Sequence, residues 1–270
     1  MRQFFANLDA LALRNETTMA EAGKELNGRV AIVTGSGRNI GRAIALALAD
    51  GGAAVVVNAR SNRGEAEEVV RAIERGGGQA FVCLADVTDA GAVQAMAAAA
   101  VARFGRIDIL VNNAAVRDEK AIEQMTIADW RAVMAVILEG AFLCVQACLP
   151  ALKQSAAGAI VNIGGLSAHT GSKHRAHVIA AKAGLIGLTR ALAHDLAADK
   201  VTVNCVSPGL IERPRDPNLP EPQHHQVNRT LSGNYGTPDD VAAVVRFLCG
   251  PGGRFVNGQT IHANGGAFLG

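Results

Sequence analysis

Aromatic residues make up only 4% of the 270-residue chain, and its charges nearly cancel, leaving a formal net charge of +2. The first shortage argues against a platform on which bases stack. The second removes the electrostatic case for nucleic acid or an anionic membrane as a partner. Cysteines are few and unpaired in pattern: Cys83, Cys144, Cys148, Cys205 and Cys249 are scattered through apolar segments with no CxxC. Cys144 and Cys148 fall four apart on one helix face, the spacing of buried packing residues rather than of a metal site, and a reduced, cytoplasmic setting is expected. The stretch from Met1 to Leu26 lacks a long apolar run and carries Arg14, Glu16, Glu21 and Lys24. No signal peptide or membrane span is expected there. Met19 offers a second start, and residues 1–27 are read as an extension to a domain of 28–270.

Hydrophobic residues, by contrast, reach 49% and charged ones only 19%, ample for one large core. From Arg29 onward, short runs rich in β-branched residues alternate with helical periodicity. The runs are Val30–Thr34, Ala54–Asn58, Ala80–Leu84, Ile107–Val111, Ala159–Ile163 and Val201–Val206. Each is apolar on both faces, as strands covered by helices on each side are. The pattern predicts a single α/β domain with a doubly wound parallel sheet of the Rossmann type. Gly209–Thr237 is too long for a simple connection and holds Pro214, Pro217, Pro220 and Pro222. It reads as a lid over a substrate. Helix resumes at Thr237-Pro238-Asp239-Asp240, a cap with proline in the first turn.

Thr34-Gly35-Ser36-Gly37-Arg38-Asn39-Ile40-Gly41 follows the first strand and opens a helix. Amide groups at such a helix start meet a pyrophosphate, and the placement raises a glycine-rich turn above an ordinary one. At the end of the second strand an acid would bind the ribose 2′-hydroxyl of NAD. Here Val57-Asn58-Ala59-Arg60-Ser61-Asn62 has none. Arg60, with Arg38 from the loop, can fork onto a 2′-phosphate, so NADP(H) is favoured over NAD(H). Solvated surface arginines are the plain alternative.

With these residues in hand, the chain from about Gly28 to Gly266 resembles the short-chain dehydrogenase/reductase family. The family's glycine loop matches Thr34 to Gly41, with Asn39 where a glycine is usual. Asp86 in Ala85-Asp86-Val87 matches the residue that touches adenine. Asn112-Asn113-Ala114-Ala115, the helix Ala180 to Leu185, Ser207-Pro208-Gly209 and Gly258-Gln259 through Gly265-Gly266 match its later motifs in order. The resemblance implies a cofactor site built from Gly35, Gly37, Arg38, Asn39, Ile40, Gly41, Arg60, Asp86, Val87, Asn113, Ala114, Lys182, Pro208, Gly209 and Ile211. It also implies a homodimer or homotetramer, joined through the helix from Trp130 to Leu152 and the helix around Lys182.

Chemistry is where the match breaks. Members carry a Tyr four residues before the Lys; here Lys182 stands but that place holds Val178. The assisting Ser falls on Gly165, the relay Asn on Ile137, and the Thr after Pro-Gly on Arg213. Another group must then move the proton. The segment Ser167 to His177 offers His174, His177 and Ser167 beside Lys182, with His169 nearby. His174 shares the face of Val178 and Lys182 only if the helix starts early enough, while His177 points about 100° away on an ideal helix. His224 and His225 in the lid are weaker candidates, and no ligand spacing supports a metal. Lys173, Arg175 and Arg213 hint at an anionic substrate, tempered by Glu212, Asp216 and Glu221. Three readings stay open: an NADP(H)-dependent oxidoreductase of a small carbonyl or alcohol with a displaced acid/base, a silent NADP(H)-binding regulatory or scaffold protein, and a lyase or isomerase that retains the cofactor.

Overall fold

The computed structural model describes residues 23–212, 229–231 and 233–270. Seven strands form one parallel sheet: β1 (Val30–Val33), β2 (Ala54–Ala59), β3 (Ala80–Leu84), β4 (Ile109–Asn112), β5 (Ala159–Ile163), β6 (Thr202–Pro208) and β7 (Thr260–Ala263). Their spatial order is β3-β2-β1-β4-β5-β6-β7, and every pairing is parallel. Chain order reverses direction between β1 and β4. That reversal opens a crevice at the carboxyl ends of the strands, where ligands of such folds bind.

The strands are apolar throughout because helices cover both faces. Along β1, Ala31 and Val33 join the cluster facing helices α1 (Asn39–Asp50), α2 (Arg63–Arg75) and α8 (Pro238–Cys249). Ile32, between them, turns to the opposite cluster with α3 (Ala90–Phe104) and α5 (Gly140–Leu152). The period of two thus buries alternate residues in two separate cores. Cys144 and Cys148 lie in the second core with their thiols free, and burial pushes the Cys144 thiol up to about 12.

The expected long helix from Trp130 to Leu152 is present but not uniform. It runs as α4 (Ile127–Met134), a π-helical turn (Ala135–Glu139) and α5. This rod packs on α7 (Ala176–Asp195) through Val133, Ile137, Ala141, Val178, Ala181 and Leu185. Both Ile127–Leu152 and Ala176–Asp195 are long and apolar enough to cross a membrane by length and composition, yet each contributes a buried face to the domain. Thr237 caps α8 in a reciprocal box with Asp240, as its sequence predicts.

Most of the segment read as a lid, residues 213–228 with 232, lies outside the described residues, and so do Arg213, His224 and His225. Its two ends are tied: Ile211 bridges Gly236, and the Glu212 amide donates to the Gly236 carbonyl at 2.7 Å.

Candidate active site

The glycine loop leaves β1 and enters α1 through two unusual backbone positions. Gly35 has φ +60° and Asn39 has φ 48°. Asparagine is among the few side chains that tolerate that region, which explains why Asn39 can stand where a glycine is usual. Gly41 is required for another reason. A Cβ there would lie 2.4 Å from the Gly35 carbonyl and 2.5 Å from Asn113 Nδ2.

Polar side chains from neighbouring strands lock the loop in place. The Thr34 hydroxyl accepts from the amides of Asn113 at 2.9 Å and Ala114 at 3.0 Å. Asn113 Nδ2 donates to the Thr34 and Gly35 carbonyls at 2.9 and 3.0 Å. From β2, the buried Asn58 accepts from the Gly35 amide at 3.0 Å and donates to the Cys83 and Ala85 carbonyls at 3.2 and 3.0 Å. One amide side chain therefore ties together the ends of β1, β2 and β3. Sequence reading passed over Asn58 as merely a non-acid; a polar residue inside an apolar strand was the available signal.

A cleft of about 1080 Å³ runs from this loop across the carboxyl ends of the strands. That slightly exceeds the roughly 300–1,000 Å³ usual for one small ligand, leaving room for a long one. Every position assigned to the cofactor by sequence lines it: Gly35, Gly37, Arg38, Asn39, Ile40, Gly41, Arg60, Asp86, Val87, Asn113, Ala114, Lys182, Pro208, Gly209 and Ile211. At one end Arg38, Arg60, Ser61 and Asn62 gather beside a single nearby helix acid, Glu65. Asp86 accepts from the Thr88 amide at 2.9 Å, and that bond, with a smaller contribution from the charge of Arg60, holds its carboxyl below the ordinary range.

At the other end stand Ile163, Gly164, Gly165, Ser167, Val178 and Lys182, with Arg117, Glu119, Val136 and Arg175. Lys182 is 8% exposed, and its ammonium donates to the Ile163 carbonyl. Burial pushes it down to about 8; Cys205 opposes that, while the charges of Arg117 and Arg175 add to it. No side chain fills the space beside Gly165, where a Cβ would meet nothing within 4 Å. Ile137 is buried between helices, inside the π turn.

Of the proposed acid/base set, the structure brings Lys182 and Ser167 to the cleft and not the two histidines. Helix α7 begins at Ala176, so the early start needed by His174 does not occur. His174 instead sits in a turn at φ 59°, exposed, with its carbonyl accepting from Lys120 N at 2.6 Å. His177 is fully buried and does not line the cleft, its Nε2 3.4 Å from Asp118 Oδ2. His169 packs against His262 and Phe268, with ring centroids 4.5 and 5.2 Å away. Burial, and then the charge of His262, lowers its pKa. The only tyrosine of the chain, Tyr235, is 40% exposed and does not line the cleft. Arg117, Glu119 and Val136 were missed from sequence. The two former follow directly on the Asn112–Ala115 motif, and that proximity was the signal.

A family model described as enoyl-(acyl carrier protein) reductase matches residues 35–267. The chain is 37% identical over 240 residues to the 3-oxoacyl-[acyl-carrier-protein] reductase FabG of Staphylococcus aureus, covering 88% of this chain and 98% of that one. It is 39% identical over 248 residues to the (2S)-[(R)-hydroxy(phenyl)methyl]succinyl-CoA dehydrogenase subunit BbsD of Thauera aromatica, covering 90% and 98%. Among solved structures, a dehydrogenase/reductase from Sinorhizobium meliloti 1021 superposes with a TM-score of 0.87 at 37% identity, over 92% of this chain and 98% of that one. A short-chain dehydrogenase from Burkholderia cenocepacia J2315, in complex with NADP, gives 0.85 at 36% identity over 90% and 99%. The chain belongs to the short-chain dehydrogenase/reductase family of oxidoreductases.

Proposed function

We propose that this protein is an NADP(H)-dependent oxidoreductase of a small carbonyl or alcohol, in which Lys182 moves the proton that a tyrosine moves elsewhere in the family. The observation that carries the reading is a buried ammonium lining the cleft in the same wall as Val178 and Gly165, neither of which bears a hydroxyl. The phosphate end fits the cofactor. The α1 amide start with its closed glycine floor suits the diphosphate, and Arg38 with Arg60 suits a 2′-phosphate. Binding of NADP by the Burkholderia relative supports the same choice.

NADPH, which the glycine loop with Arg38 and Arg60 would hold, would supply the hydride equivalent for the carbonyl carbon. Lys182 then protonates the nascent alkoxide, and as an ammonium it also polarises the carbonyl oxygen beforehand. The Ile163 carbonyl holds the Nζ in position. Ser167, also on the cleft wall, offers a hydroxyl to the same oxygen. His174 and His177, which do not line the cleft, serve the loop and the helix packing instead. The protein acts in the cytoplasm, consistent with five free thiols, and as a homodimer or homotetramer. Exposed Ile127 and Phe142 on the α4–α5 rod suit such an interface. Residues 1–27 are an extension to the catalytic domain of 28–270.

The joint lack of a polar amide at position 137 and of hydroxyls at positions 165 and 178 favours a second reading, a silent NADP(H)-binding subunit. NADPH oxidation across a panel of aldehydes, ketones and oxo acids separates the two. Turnover that disappears in Lys182→Met is expected. Absence of turnover with NADPH demonstrably bound, coupled with activity gained in the Gly165→Ser/Val178→Tyr variant, would establish the silent binder instead.

A further inference from the structure

Helix α7 is held to the sheet at two buried polar points. Lys182 donates to the Ile163 carbonyl, and Thr189 lies two turns further along the helix. Seven residues fall within about 20° of two full turns, so the two side chains share one face, about 10.5 Å apart along the axis. The buried Thr189 hydroxyl donates to the Leu185 carbonyl at 2.8 Å. With its proton committed there, it acts as the acceptor for Asn162 Nδ2 at 2.9 Å. Asn162 is also buried, and its Oδ1 accepts from Asn112 Nδ2 at 2.9 Å across the β4–β5 pairing. A directional chain of side-chain bonds thus runs from Asn112 through Asn162 to Thr189. Buried bonds of this kind are costly when left unmade, so they dictate how the helix sits.

Asn162 directly precedes Ile163 in β5. Its side chain holds α7 at Thr189, while the next carbonyl holds the same helix at Lys182. Two attachments of one helix face to adjacent strand residues fix rotation and axial position together. A slip of one residue would carry Lys182 about 1.5 Å and turn it about 100°. Resting on the proposed role of Lys182, we infer that Asn162 and Thr189 are positioning residues that set where Lys182 Nζ stands in the cleft. Neither lines the cleft, so they act through the helix and strand that carry Lys182 and its acceptor. The groups whose charges act on Nζ are Cys205 from β6, Arg117 from the loop after β4 and Arg175 just before α7. The register of α7 therefore also sets how strongly each of them acts.

The test is trace acetylation of the full chain with acetic anhydride across the lysine titration range, read at Lys182 by peptide mass spectrometry. It reports the ammonium itself rather than turnover. The wild-type midpoint is expected at about 8. Thr189→Val removes the acceptor for Asn162, so Nζ loses its fixed seat and gains water. Its midpoint should then move toward the ordinary lysine value, by at least about threefold in the dissociation constant. Thr189→Ser keeps the hydroxyl and should restore the wild-type midpoint. With the carbonyl of the panel that is turned over fastest, kcat should fall about tenfold in Thr189→Val while KM stays within about twofold. Ser155→Ala is the comparison: it breaks a buried bond to Asp108 at the amino ends of β4 and β5. It should lower the urea midpoint yet leave the Lys182 titration unchanged. A Lys182 midpoint unmoved in Thr189→Val, or moved equally by Ser155→Ala, overturns the positioning role. If Thr189→Val does not fold, Thr189→Ala is read against the same outcomes. Failure of the acid role is visible separately, as turnover persisting in Lys182→Met, and the labelling then still decides whether Thr189 holds the ammonium.

Discussion

On the proposed reading, Arg60 and Lys182 carry the two chemical choices in this molecule, the form of the dinucleotide and the source of the proton. Replacing Arg60 by Ala removes a charge-assisted contact of about 1.5–3 kcal/mol, so NADP+ affinity should fall roughly 10- to 100-fold while NAD+ affinity barely moves. Competitive fluorescence titration of the two nucleotides measures this directly. For Lys182, the depressed value of about 8 sets two signs. In reduction the ammonium is the active form, so kcat/KM should fall as pH rises through about 8, and the reverse reaction should gain. In folding, the unfolded chain holds its lysine proton to higher pH than the native one does. Stability therefore rises with pH from about 8 toward the ordinary lysine value, and that part of the rise should vanish in Lys182→Met. Loss of the general acid in the same variant should lower kcat by about 10²–10⁴-fold.

At the scale of elements, the sheet succeeds by placing three strand ends level at the crevice, and the loops there are cross-tied. Gly41→Ala forces a Cβ against the Gly35 carbonyl. The variant should keep its far-ultraviolet circular dichroism, lose about 1–3 kcal/mol of stability and lose most nucleotide affinity. Asp108, at the start of β4, is the other tie. It is fully buried and accepts from the Val30 amide at 2.9 Å, from Arg106 Nη2 at 2.6 Å and from Ser155. Burial opposes its charge, but those bonds hold the carboxyl below its usual value. Its stabilisation is present above the unfolded carboxylate pKa and is lost as pH falls through the depressed one. Asp108→Asn should cost about 3 kcal/mol in urea unfolding at neutral pH, the lower end for a buried pair because Arg106 remains half in water.

The elements also show what a sequence can disclose. Strands apolar on both faces, a glycine loop between strand and helix and a Thr-Pro-Asp-Asp cap depend on neighbours in the chain, and all stand as predicted. The π turn at Ala135–Glu139, the start of α7 at Ala176 and the burial of His177 depend on helix-on-helix packing. Nothing local to His174 announces that its backbone turns to φ 59° and leaves the helix face. Arg117 and Glu119 reach the cleft from a loop without periodicity, so only the assembled crevice brings them together with Lys182.

The molecule as a whole is a doubly wound sheet with a long cleft at its switch point, lined at the glycine loop by Arg38 and Arg60. Cofactor binding to the native state alone should raise stability by about 2.7 kcal/mol at a hundredfold excess over Kd. A thermal shift with NADP+ larger than with NAD+ is the quick check. The most direct measurement is equilibrium titration of the wild type with NADPH and NADH by calorimetry. One site per chain and at least about tenfold tighter binding of NADPH are expected. Heat of binding from neither nucleotide, at protein concentrations where the chain is folded, would contradict it.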